Sequence, residues 1–145
     1  MIRSRKKTNG KAKKPKLPSI SKLIKACDAA FSIQVRMKDC WSETVRNPLP
    51  WLNRCFTCKR EYPVKKLHCG HYLSRYYKAA RWNFDNARPQ CMMCNMWKRG
   101  DPIVFRRNLI KEIGEARVLA VEKLRDAPIK LSREYLTDLL TSLTT

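Results

Sequence analysis

Two cysteine hooks, Cys55-Phe56-Thr57-Cys58 and Cys91-Met92-Met93-Cys94, bracket both histidines of the chain, His68 and His71. Four thiolates delivered from two tight turns make a complete tetrahedral shell for structural zinc. Such a shell leaves no open coordination position, so the expected task of Cys55, Cys58, Cys91 and Cys94 is to hold the fold. His71 follows Gly70, and Asn95 directly follows the last cysteine. An imidazole titrates near neutral pH without any perturbation, which makes His71 the default base for activating water. Phosphodiester hydrolysis needs a base, a divalent ion on the phosphate and a cationic surround. Plainer roles compete. His71 can be a packed ring on a backbone carbonyl, His68 and Cys69 can hold a second structural metal, and Asn86 and Asn95 can be turn and cap residues.

The surround is cationic. The chain has 145 residues with 32 Lys and Arg against 12 Asp and Glu, a formal net charge of +20. Residues 1–100 carry 24 basic and 5 acidic side chains, and residues 101–145 carry 8 and 7. A cationic front and a balanced back fit a polyanion-binding surface joined to a self-packing segment. Arg75, Lys78, Arg81, Arg88, Lys98 and Arg99 lie within or just beyond the hooks and are the candidate phosphate contacts. No apolar run approaches a membrane span, and no apolar leader follows the basic start. Seven cysteines without an export signal indicate a reducing compartment, so a cytoplasmic protein with no membrane partner is expected.

The elements that must position these groups follow from apolar spacing. Residues 1–18 read as a disordered basic arm. Residues 19–54 read as a helix and a connecting loop. Ile20, Leu23, Ile24, Cys27, Phe31 and Val35 recur at helical spacing, and Ser19 is the N-cap. Pro48 and Pro50 break regular structure, with Trp41 and Trp51 expected on the core. Residues 55–100 form the metal module, with a short hairpin or extended pair from Val64 to Leu73 and a short helix over 91–99. Residues 101–145 read as C-terminal helices. Asp101 caps the first, Pro102 opens it and Gly114 stops it. Ser132 caps the last, whose leucines are a candidate dimer face.

The ordered set of Cys-x-x-Cys, Gly70-His71-Tyr72, Asn86 with Gln90-Cys91 and Cys91-x-x-Cys94-Asn95 resembles the HNH, or ββα-metal, nucleases. The nearest resemblance is to the phage NinG/Rap recombination endonucleases, over about Cys55 to Leu124. The zinc knot is similar to that of phage endonuclease VII. This resemblance implies an α+β fold, a zinc-stapled ββα module flanked by helices. It implies a DNA endonuclease acting on branched recombination or replication intermediates, such as a four-way (Holliday) junction or D-loop, in the bacterial host cytoplasm. His71 would be the general base, Asn86 the brace of its loop, and Asn95 a ligand of a catalytic magnesium or manganese ion. Cutting a symmetric junction favours a homodimer. One departure stands out: no carboxylate lies just before the base, where the stretch is His68-Cys69-Gly70. His68 takes that place as an imidazole ligand, or Asp85 or Asp101 reaches the ion. Two other readings fit the composition: a non-catalytic zinc-containing nucleic-acid-binding protein, and an HNH nicking enzyme that reads a defined duplex sequence.

Overall fold

The computed structural model describes residues 17–41 and 51–145. The basic arm up to residue 16 and the proline-bearing stretch 42–50 lie outside these residues. Helix α1, Ile20–Met37, begins where Ser19 accepts a hydrogen bond from the Lys22 amide, as its N-cap role requires. Its Leu23, Cys27, Phe31 and Val35 are buried. Four short strands follow in two antiparallel pairs: β1 (Leu52–Arg54) with β2 (Glu61–Pro63), and β3 (Leu67–His71) with β4 (Ala87–Cys91). The last three helices are α2 (Pro102–Ile113), α3 (Glu115–Lys123) and α4 (Arg133–Thr144). The class is α+β. No helix among the described residues is long and apolar enough to cross a membrane.

The extended pair forms differently from the local hairpin expected over Val64 to Leu73. A 3-10 turn occupies Val64–Lys66, and β3 pairs with β4, with His68 opposite Gln90 and His71 opposite Ala87. The strand that carries both histidines is thereby tied to the strand that ends at Cys91. Gly70 is needed at this crossing: a Cβ there would lie 2.1 Å from Gln90 Oε1. Gln90 is fully buried and donates to Thr57 Oγ1 at 2.6 Å and to the Gly100 carbonyl at 2.8 Å.

Helix α4 packs on α1, so Leu136 and Leu143 join Leu23, Cys27, Phe31 and Val35 in one core with Trp82. Cys27 Sγ donates to the Leu136 carbonyl at 3.4 Å. The leucine face expected to join two copies is therefore engaged within the chain. A second core, Phe56, Phe105, Leu109 and Val118, seats α2 and α3 against the first hook. Tyr72 donates to Glu122 at 2.6 Å and Arg106 donates to the same carboxylate at 2.7 Å, which joins these helices to the end of β3. Ser132 accepts from the Tyr135 amide and caps α4 as expected. Asp101 does not cap α2 with its side chain; it sits in a left-handed conformation at φ 47°. Trp51 joins none of the buried cores and remains 38% exposed.

Candidate active site

The first hook closes through backbone bonds: the Lys59 amide donates to the Cys55 carbonyl at 2.8 Å, and the Cys55 amide to the Arg60 carbonyl at 2.9 Å. The second hook runs from the end of β4 into the short helix expected there, which is wound as a five-residue π turn, Met93–Trp97. The four sulfurs lie within 4.8 Å of one another, and Cys58 and Cys91 are 3.9 Å apart. Zinc–sulfur bonds of about 2.3 Å in a tetrahedron set the sulfurs about 3.8 Å apart, so this set can hold a metal such as zinc. Burial alone would raise the Cys91 thiol. The Cys94 amide, the Tyr62 hydroxyl and the neighbouring sulfurs outweigh it and bring the group down to about 7. That donor set already favours a thiolate.

His71, His68 and Asn95 line one cleft of about 470 Å³, between α1, β3 and the π turn. His71 Nε2 donates to the Arg81 carbonyl at 3.0 Å. A carbonyl only accepts, so the neutral ring carries its proton on Nε2 and keeps a lone pair on Nδ1. Burial lowers the His71 pKa below its usual value, with the Arg81 carbonyl opposing that shift. Phe31 packs beside the ring at 6.0 Å between centroids. The Asn95 side-chain nitrogen donates to His68 Nδ1 at 3.2 Å. Cys69 packs toward the α1–α4 core, and burial pushes its thiol up to about 12.

Asn86 is fully buried and grips the segment after His71. Its amide donates to the Leu73 carbonyl at 3.0 Å and the Ala80 carbonyl at 2.9 Å, and its oxygen accepts from the Leu73 amide at 2.7 Å. Its own carbonyl accepts from the Tyr72 amide at 2.8 Å. These bonds fix the path from His71 to the carbonyl that orients it.

The expected carboxylates do not reach the cleft. Asp85 pairs with Arg117 on α3 at 3.0 Å, and Asp101 is not among the residues that line the cleft. Among the described residues, the acidic side chain that does line it is Asp28 of α1. Both its oxygens are engaged: Arg81 donates from Nε at 2.9 Å and from a terminal nitrogen at 2.6 Å, and Trp82 donates at 3.0 Å. Burial works to raise the Asp28 pKa, but the Arg81 bonds and charge win and hold it below the usual carboxylate value. Asp28 thus holds the residue whose carbonyl holds His71. Its apolar neighbours, Cys27 and Phe31, marked only a buried stripe in the sequence. Its partners sit 53 and 54 residues away, and no local signal announces them.

The candidate phosphate contacts separate into three groups. Arg75 and Arg99 line the cleft, joined by Arg36 of α1. Lys78 and Lys98 are exposed outside its lining. Arg81 and Arg88 are engaged elsewhere. Arg88 is buried, pairs with Glu112 at 2.9 Å and donates to the carbonyls of Phe84 and Ala87. It is a strut between β4 and α2, not a free cation.

A family model described as Bacteriophage Lambda NinG protein matches residues 3–144 of the chain. No curated protein and no solved structure matches it.

Proposed function

The chain belongs to the family of the bacteriophage lambda NinG protein, and from that premise we propose that it is a metal-dependent DNA endonuclease of the HNH type, acting on branched DNA. One observation carries this reading: His71, its tautomer set by the Arg81 carbonyl, shares a cationic cleft with the His68–Asn95 pair. His71 Nδ1 takes a proton from the attacking water. Arg75, Arg99 and Arg36 seat the phosphates on either side of the scissile bond, and Asn86 keeps the base from drifting out of line.

His68 and Asn95 are the donors we assign to a second ion. The Asn95 amide nitrogen donates to His68 Nδ1 at 3.2 Å, so holding an ion would take a turn of that amide that presents its oxygen beside the ring nitrogen. A bound magnesium or manganese ion would supply charge neutralisation at the scissile phosphate and its leaving oxygen. An imidazole in the ligand set favours manganese. β3, β4 and the π turn around the knot take the place of the ββα module in this reading. Asp85, paired with Arg117, and Asp101, outside the cleft lining, are not among these donors.

The preference for branched DNA comes from the family resemblance. It accords with a surface that offers guanidinium groups to phosphates and so reads backbone geometry, not base sequence. The test is a cleavage assay with the intact protein on a labelled four-way junction and on linear duplex of the same sequence, with manganese, magnesium or neither. Cuts near the branch that leave a 5′ phosphate and need the added ion are expected. Binding without cutting under every ion tried would instead favour a zinc-containing DNA-binding module, and cutting of the duplex at one fixed sequence would favour a nicking enzyme.

A further inference from the structure

The π turn that carries Asn95, with Met92 just before it, also carries a cluster of large apolar side chains that no described residue covers. Met92, Met93 and Met96 are each more than half exposed, and Trp97 is 73% exposed. Single exposed apolar residues are ordinary, but four within six positions form a patch. The turn beneath it is firmly held. Cys94 is buried in the knot, the Lys98 amide donates to the Met93 carbonyl at 3.0 Å, and the Gly100 amide to the Cys94 carbonyl at 2.9 Å. Arg99 and Gly100 then take positive φ, 50° and 84°, and turn the chain sharply back. The patch therefore sits on a well-bonded turn.

Charge and position say what meets it. Between Met92 and Gly100 the chain carries Lys98 and Arg99 and no acidic residue. Asn95 and Arg99 line the cleft, and His68 borders both the cleft and the hollow beside Met92 and Met93. An anion seated in the cleft therefore passes close to the Met92–Met93 end of the patch, and Trp97 lies two residues from Asn95 and from Arg99, which line the cleft. The cationic front of a second copy, where residues 1–100 carry 24 basic and 5 acidic side chains, is repelled from the same place.

We propose that this patch is a wedge for an opened base step: Trp97, backed by Met96 and Met93, stacks on the exposed face of a nucleobase next to the phosphate held in the cleft. The inference rests on the nuclease reading and deepens it by naming what is selected. Opening a stacked step costs energy in continuous duplex and little where a branch has already interrupted the stack. Stacking accepts any base, so the wedge selects branch points without reading sequence. Apolar wedges beside cationic groups are a general means of gripping kinked DNA.

The test compares wild type, Trp97→Ala and Trp97→Phe as full chains, with no magnesium or manganese added, so that binding is read without cutting. The probes are a four-way junction with 2-aminopurine at the branch and linear duplex of the same sequence. Trp97→Ala should weaken junction binding about tenfold, leave duplex binding within about twofold, and abolish the change in 2-aminopurine fluorescence. Trp97→Phe should retain most of each. Trp97 is so exposed that its loss should leave zinc content and helix signal unchanged. Equal junction affinity in wild type and Trp97→Ala overturns the proposal. So does an equal loss on both DNAs, or a shift from dimer to monomer in sedimentation that shows a second copy to be the occupant. A wild type that binds but never cuts would sink the nuclease reading while leaving this comparison intact.

Discussion

The cysteine knot and the histidine cleft stand side by side on one strand pair, yet they are built in opposite ways. The knot is local and closed: two short turns bring four sulfurs within 4.8 Å of one another and leave no vacant position. The cleft is long-range and open: α1, β3 and the π turn each bring side chains, and a backbone carbonyl ten residues on sets the base. A site that must only hold together can be encoded in a few adjacent residues. A site that must also admit a substrate draws on separated elements and inherits its geometry from the closed one.

Breaking the knot should have the largest effect. Structural zinc in small modules contributes on the order of 10–16 kcal/mol to folding at neutral pH. Cys91→Ser, or strong chelation, should melt the β3–β4 region and abolish cooperative thermal unfolding in circular dichroism. A cooperative transition that survives metal removal would make the apolar cores, not the knot, the main support.

Asp28→Asn probes the cleft through its outermost brace. It removes the charge that holds Arg81 and leaves the ring itself untouched. Cleavage should fall about 10- to 100-fold through misplacement of His71, with junction affinity little changed. Parallel losses in rate and affinity would mean that the α1 edge of the cleft is merely a binding surface.

A smaller contrast separates two arginines that look alike in the sequence. Arg99→Ala should lower DNA affinity and reduce the salt dependence of binding by about one unit of slope. Arg88→Ala should leave that slope alone and lower thermal stability, because it strips Glu112 of its buried partner. The opposite assignment would place Arg88 on the DNA.

The smallest effects are those of pH. The Asp28 pKa is depressed below 3.8, so its pairing supports the fold fully above that value and is lost as pH falls through the depressed one. Wild type should lose stability there, and Asp28→Asn should lack that step. His71 is shifted the same way, below 6.5. Its neutral, proton-accepting form therefore persists into mildly acidic solution, and the acid limb of the cleavage profile should lie below 6.5.

The same contrast governs what the sequence reveals. The knot is legible because its ligands are spaced within two turns, and α1 and α4 because their apolar periodicity and serine caps are local. The β3–β4 pairing is not, since Val64 to Leu73 looked able to pair with itself, and only Gly70 under Gln90 marks the true partner. Arg81 and Arg88 read as free cations because charge in a sequence does not disclose an ion pair with Asp28 or Glu112. Asp85 lay nearest the motif but turns to Arg117, while Asp28 enters the cleft from α1, far back along the chain. The leucines of α4 looked like an interface because a sequence cannot tell a partner helix in another copy from one in the same chain.

The central claim is that His71 performs the chemistry while the knot only positions it. The direct measurement is the single-turnover rate of junction cleavage by His71→Ala at saturating protein, with zinc content and junction affinity measured on the same sample. A rate about 100- to 10,000-fold below wild type, with zinc and affinity unchanged, is predicted. Cleavage at the wild-type rate would contradict the account and move the reaction away from this cleft.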